Sequence, residues 1–536
     1  MGAAESDPPQ RVLTRRRFLQ GLGVVGGAGV VVATMEALNL STPARKAPFV
    51  PPGHADFALQ GRANDTTVLV LGAGVAGLAA AYELEKAGYR CEVLEARERP
   101  GGRNWTVRDG TVETDLDGNM QTARFAEGEY FNPGPARIAQ HHTTLDYCRE
   151  LAVAVEPFAN VNADAYFHQE HGSGALAGQP TRHRAARADL YGYISELLAK
   201  AIDQGALDEE LTSDDGAAVI EFLRGFGALD ADDRYLGTER RGYATPPGAG
   251  TQAGTPTEPF TLPDLLASGF GHHFQAELAW DQAMMMFQPV GGMDRLPAAL
   301  ASALRGRIRY GAEVRGITSA ADGVEVIFDD GSGDGTRIEA DYCVCTIPPH
   351  LLARIPNSFA PEINSGLAAV QTVPTAKIGL HYRRRFWELD EGIYGGITTT
   401  DLDIGAIWYP SSGYLGQHGV LVGAYNFFDA TSTYAALDPA ARQARAVEQG
   451  VRIHGRPYAD DLDSSFSVVW SRTRFSEGGW VEWPDRTTGT YVALLEPQGR
   501  VYFAGDHLSY TTSWQHGAFE SARRTVTALH RRVLAS

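Results

Sequence analysis

Val68-Leu-Val-Leu-Gly-Ala-Gly-Val-Ala-Gly77 decides how this chain folds. The aliphatic run Thr66 to Leu71 reads as a buried strand, glycines follow at 72, 74 and 77 in the G-x-G-x-x-G spacing, and Leu78 to Ala87 continues as a helix. Each glycine has its own use. Gly72 permits a tight turn, Gly74 lets backbone approach a diphosphate, and Gly77 lets the helix pack closely on the strand, with the diphosphate resting on the helix N-terminus. Cys91-Glu-Val-Leu-Glu95 reads as a second strand, and its final acid lies 18 residues after Gly77. That is near the spacing at which a carboxylate accepts hydrogen bonds from a ribose diol. Gly-rich turns between strand and helix also arise from packing alone, but strand, turn, helix, strand and acid together specify a dinucleotide-binding unit.

Beyond Glu95, Ala96-Arg-Glu-Arg-Pro-Gly-Gly-Arg103 adds a second glycine pair and a guanidinium, which suits a longer, buried cofactor. With this segment the chain resembles the flavin amine oxidase family, which implies FAD rather than NAD. Val501-Tyr-Phe-Ala-Gly-Asp506 reads as the other half of the site, a strand running into an acid ahead of a helix containing Ala518 to Leu529. The cofactor candidates are therefore Gly72, Gly74, Gly77, Glu95, Arg97, Gly102, Arg103, Gly505 and Asp506, with Val314 from the central segment and Trp514.

At 536 residues and 43% hydrophobic content the chain can bury two or three cores. A net charge of −18, with no long Lys/Arg block outside the N-terminus, disfavours nucleic acid and anionic membrane as partners. Four cysteines, at 91, 148, 343 and 345, form neither a disulfide framework nor a zinc pattern. Cys343 and Cys345 alternate in a strand-like run, as small core residues on one face would. Thr14-Arg-Arg-Arg-Phe-Leu-Gln20, followed by the apolar run Gly21 to Met35, matches a twin-arginine export signal. The apolar run is short of the roughly 20 residues a membrane span needs, so export without stable membrane insertion is expected.

The expected fold class is α/β: a Rossmann-like FAD-binding domain, a second mixed-sheet substrate domain and a helical insertion. Residues 1–40 form the signal segment; 62–108, 286–350 and 492–536 the FAD domain; 109–150 and 351–491 the substrate domain; 151–285 the helical domain. Within the last, Leu190, Ile194, Leu197, Leu198 and Ile202 make one helical stripe. Val219, Ile220, Phe222 and Leu223 belong to a second helix, N-capped by Asp214 or Asp215. The Gly/Pro/Thr-rich stretch 245–261 reads as an exposed loop.

Further landmarks narrow the resemblance to the L-amino-acid oxidase branch. They are Gly134-Pro-Ala-Arg137, Gln288-Pro-Val-Gly-Gly-Met-Asp294, Lys377-Ile-Gly-Leu, Ala406-Ile-Trp-Tyr-Pro410, Gly478-Gly-Trp480 and Ala504-Gly-Asp506. Two departures stand out: Asp506 where the family usually has Glu, and Thr512-Ser-Trp-Gln-His-Gly517 where animal members have a Gly-Trp pair. The resemblance implies that Arg137 binds a substrate carboxylate as a bidentate pair and that Tyr409 donates its hydroxyl to it. It also implies that Lys377 holds a water near flavin N5 and that Trp480 and Trp514 flank the flavin. Trp408 and Tyr409 point to opposite faces of a strand, so only one of them can line the site. His141, His142, His272 and His273 read as solvated rather than catalytic.

The implied activity is oxidative deamination of an L-amino acid, large and apolar or aromatic, to a 2-oxo acid, ammonia and hydrogen peroxide, with dioxygen as second substrate. A monoamine or polyamine oxidase and a noncatalytic FAD-binding scaffold are the alternatives. Relatives that hold flavin covalently use a Cys near the C-terminal flavin segment, and no Cys follows Cys345, so FAD is expected to be noncovalent. A homodimer or higher homo-oligomer is expected.

Overall fold

The computed structural model describes residues 57–63, 65–331 and 335–536, the side chain of His272 apart. The export segment expected at 1–40 lies outside the described residues. Five parallel strands run in the order Ile308–Arg309, Arg90–Leu94, Thr67–Leu71, Tyr342–Cys345 and Val501–Phe503. Alternation along the central strand sends Val68 and Val70 to one face and Leu69 and Leu71 to the other, and both faces are buried. The first face is covered by the helix Val75–Lys86 and the C-terminal helix Gln515–Ala535. Ala79, Ala80 and Ala81 are fully buried, so their small side chains let that first helix lie close. An antiparallel sheet of Glu313–Ser319, Val324–Asp329 and Thr336–Ala340 supplies Val326 and Phe328 to the core of the second face. Cys343 and Cys345 are free thiols in that same core, on one face as expected.

A second sheet carries the strands Leu462–Val469, Thr375–Tyr382, Gly419–Phe427 and Ala406–Trp408, antiparallel in that order. Thr375–Tyr382 is flanked on both sides and buried at every position. Its lysine is therefore an interior group rather than a sheet-edge one. A close approach accompanies the bulge after Ile378: a Cβ on Gly379 would lie 2.6 Å from the Phe131 ring.

The chain divides into two units. One holds 161–283 and 397–402; the other holds the remaining described residues, among them the cofactor segments and, apart from 397–402, the substrate segments. In the smaller unit the helices His183–Asp203 and Ser213–Gly227 pack together, and a Cβ on Gly227 would lie 2.3 Å from Ser195 Cβ. This approach centres the buried stripe on Ile194, Ser195, Leu198 and Ala199 and leaves Leu197 on the flank, 53% exposed. Phe222 on the second helix is likewise exposed. Thr212, not Asp214 or Asp215, is the N-cap: its hydroxyl accepts from Asp215 N–H while Asp215 reaches back, a reciprocal capping box. Within the expected loop, Thr255–Pro256 pairs with Tyr243–Thr245. Among the described residues no helix is long and apolar enough to cross a membrane.

Candidate active site

The carboxyl ends of the parallel strands converge on the glycine-rich turn, where open α/β sheets place their ligands. Gly77 is needed for packing, since a Cβ there would sit 2.0 Å from the Gly72 carbonyl oxygen. Gly74 is different. A Cβ on it would meet no atom within 4 Å, and no side-chain hydrogen bond caps the helix it starts. Gly102, in the left-handed region at φ +58°, brings the second glycine pair onto the first: its Cβ would lie 3.5 Å from Gly74 Cα. Glu95 Oε2 accepts from Ala73 N–H at 2.7 Å, and Oε1 from Arg97 N–H at 2.9 Å, so the acid closes the same turn. An uncapped helix start, an open glycine cradle and a buried carboxylate fit the diphosphate and ribose of a dinucleotide.

Arg97 spends its guanidinium on protein, donating to Arg474 O and Ser476 Oγ at 2.7 and 2.8 Å. Arg103 donates to the Gly479 carbonyl and forms a close ion pair with Asp506, whose other oxygen accepts from Ser513 N–H at 3.1 Å. Burial alone would raise the Asp506 carboxyl, but Arg103, then His507 and the hydrogen bonds, hold it below the usual carboxylate range. Gly505 precedes it with its Cα against the His507 ring. The Val314 side chain lies in the apolar core, which leaves only its backbone for a ligand.

The loop Gly134-Pro-Ala-Arg137 links this end to the next. A Cβ on Gly134 would lie 1.9 Å from the Arg103 carbonyl oxygen, and Trp470 Nε1 anchors the loop by donating to Pro133 O at 3.0 Å. Lys377 Nζ then donates to Gly134 O at 2.6 Å. Burial, with Arg137 nearby, pushes the Lys377 ammonium down to about 7. Its Nζ lies 4.3 Å from the Tyr425 ring centre and 4.9 Å from that of Trp408. The Arg137 guanidinium stacks 4.6 Å from the same Trp408 ring and donates to Asn160 Oδ1.

Tyr409 is a correction. Its hydroxyl sits 2.9 Å from His454 Nε2, and His454 Nδ1 lies 2.9 Å from the Glu391 carboxylate. Strand alternation gives Trp408 the face that Lys377 shares, so Tyr409 is turned into the opposite core. The phenol near Arg137 is instead Tyr425, the cross-strand partner of Lys377. Burial raises its hydroxyl to about 12 against the pull of Arg137. Sequence reasoning missed Tyr425, although Tyr425-Asn-Phe427 on a strand already places two aromatics on one face.

Trp480 follows Gly479, which Arg103 holds, and Trp514 follows Ser513, which Asp506 holds; both tryptophans are thus one residue from the ion pair. Trp480 packs edge-on to Phe427 at 5.8 Å and donates to Glu482 at 2.9 Å. Phe427 lies 4.5 Å from Tyr425, so an aromatic run reaches from Lys377 to Trp480. Trp514 packs edge-on to His142 at 4.9 Å. His142 is not solvated as expected. It is buried and stacked on His516 at 4.7 Å, and burial with the neighbouring imidazoles pushes it down to about 3, so it stays neutral.

Residues 75–530 match the model of the flavin containing amine oxidoreductases. The L-amino-acid oxidase of Gloydius blomhoffii is 26% identical over 492 residues, covering 88% of this chain and 90% of that protein. The flavin-dependent L-tryptophan oxidase RebO of Lentzea aerocolonigenes is 28% identical over 499 residues, covering 86% and 97%. Among solved structures, cyclohexylamine oxidase from Brevibacterium oxydans IH-35A is similar with a TM-score of 0.58 at 18% identity, covering 88% of this chain and all of that one. Putrescine oxidase bound to putrescine is similar with a TM-score of 0.54, also at 18% identity, covering 88% of this chain and 99% of that one.

Proposed function

The chain belongs to the flavin containing amine oxidoreductase family, and from that premise we propose that it is an FAD-dependent L-amino-acid oxidase. An L-amino acid, dioxygen and water would yield a 2-oxo acid, ammonia and hydrogen peroxide. The observation that carries this reading is the Arg137 guanidinium, stacked on Trp408 and near the Tyr425 phenol, beside a buried lysine. A plain amine offers such a guanidinium nothing to bind; an α-carboxylate offers it two oxygens. Relatives named for oxidising L-amino acids and L-tryptophan support the same reading.

FAD, when bound, supplies the acceptor for hydride from the substrate Cα and the route of electrons to dioxygen. Gly74, Gly102 and Glu95 would hold its diphosphate and ribose, and the Arg103–Asp506 pair its central chain. Arg137 and Tyr425 would anchor the carboxylate and so fix which face of Cα is presented. Lys377, titrating at about 7, can hold or release a proton at Nζ close to neutrality. Tyr425, Phe427 and Trp480 would wall the side-chain space with aromatic surface.

Burying an aromatic or large aliphatic substrate side chain there is worth about 1.5–3 kcal/mol, a preference of about ten- to a hundredfold over Ala or Gly. A peroxide-coupled screen of the L-amino acids, their D-enantiomers and simple amines tests both statements. Phe, Tyr, Trp, Leu and Met should lead. Glu, Asp or Lys outrunning them would overturn the side-chain assignment, and turnover of amines alone would overturn the amino-acid reading.

Noncovalent attachment gives a separate expectation. All four cysteines are buried free thiols and none follows Cys345. Acid or heat denaturation should release FAD into the supernatant, identified by its mass; flavin left on the precipitated chain would contradict this.

A further inference from the structure

The Trp408 ring lies against both basic side chains of the substrate end. Its ring centre lies 4.6 Å from the Arg137 guanidinium carbon and 4.9 Å from Lys377 Nζ. Tyr425 packs edge-on to it at 5.1 Å and Phe158 at 5.9 Å, so the ring is itself held on further sides. Two positive groups brought this near one another repel, and the electron-rich face of an indole is the side chain that best offsets that cost. Trp408 is 6% exposed, and among the described residues its Nε1 has no hydrogen-bond partner.

We propose that Trp408 is a positioning residue of the substrate site, whose ring holds Arg137 and Lys377 at a set separation so that both act on one substrate. The inference rests on Arg137 being the carboxylate anchor. It assigns no bond from Trp408 to the substrate: the indole acts through its face, by way of the two cations.

Trp408→Leu removes the face, and Trp408→Phe keeps a ring while removing the orphaned N–H. In the FAD-loaded enzyme, Trp408→Leu should raise KM for the best L-amino acid about tenfold or more with kcat changed less than about threefold. Trp408→Phe should restore KM to within about threefold of the parent. In an Arg137→Leu background, Trp408→Leu should cost less than about threefold in kcat/KM, because its effect runs through a group already lost. Flavin content and melting temperature report the fold, and Trp408→Met, flexible and without a ring, replaces Leu if Leu does not fold. An unchanged KM in Trp408→Leu, a Phe variant as damaged as the Leu one, or full multiplication with Arg137→Leu would each overturn the proposal. Arg137→Leu with unchanged kcat/KM would instead remove the amino-acid reading, while the KM of Trp408→Leu and its rescue by Phe still decide the role of the ring.

Discussion

Arg137→Leu should lower kcat/KM for the best L-amino acid by about tenfold to a hundredfold, the value of a charge-assisted bond worth about 1.5–3 kcal/mol. The loss should fall mainly on KM, because a carboxylate remote from the reacting C–H bond is bound alike in ground and transition states. Flavin content and the visible spectrum should not change, since Asn160 and Trp408, against which Arg137 lies, are not among the residues assigned to the cofactor. The decarboxylated amine of the same amino acid is the control. Its turnover, however slow, should be indifferent to the substitution or improve, as a positive charge facing an ammonium substrate is removed. Steady-state kinetics on the pair decide the matter: equal losses for acid and amine would mean a general disturbance, and no loss for the acid would place its carboxylate elsewhere.

The strand-turn-helix-strand unit was legible in the sequence because its signals are local. Gly72, Gly74, Gly77 and Glu95 act within one strand-turn-helix-strand unit, where spacing along the chain is spacing in the fold. The pairing of Arg103 with Asp506 joins residues 403 positions apart, and only the resemblance to a family put them together. Strand alternation also did what it can. It separated Trp408 from Tyr409 correctly, but it does not say which face looks at Lys377, and the resemblance chose the wrong one. The missing datum was register: Lys377 opposite Tyr425 is a cross-strand fact fixed by a bulge after Ile378.

The histidine pair failed for a related reason. His141-His142 precedes a short helix and looks like a polar loop, and nothing near it in the chain announces that His516 will stack on His142. Burial of a polar residue by distant sequence is the least local property a fold has. One position of the helical stripe failed differently, while Leu190, Ile194 and Leu198 are buried as expected. Leu197 belongs to the apolar pattern of its helix, yet the partner helix approaches through Gly227 onto Ser195, which turns the contact toward Leu198 and Ala199 and leaves Leu197 outside it.

Lys377→Met should separate the two halves of the reaction and stabilise the protein at once. Because Lys377 titrates at about 7, reoxidation of the reduced enzyme by dioxygen should vary with pH about that midpoint, and the substitution should abolish the variation. Removing a group that holds or moves a proton costs about a hundredfold in the step it serves. Stopped-flow traces should therefore show anaerobic reduction by the amino acid changed less than about threefold, and reoxidation slowed far more. Normal reoxidation would take Lys377 out of the mechanism. The stability effect follows from the same burial. A lysine lowered from 10.5 to about 7 is protonated more readily in the unfolded chain, so folding bears a cost of about 5 kcal/mol below pH 7. That cost diminishes as pH rises from 7 toward 10.5 and is gone above it. Methionine carries no charge to bury, and although it gives up the bond to Gly134 O, it should gain about 2–5 kcal/mol near pH 6 and little near pH 10. Melting temperatures of the two proteins at both pH values check the sign: a variant equally stable, or less so, at about pH 6 would mean that the ammonium is paired in the folded chain and is no buried charge at all.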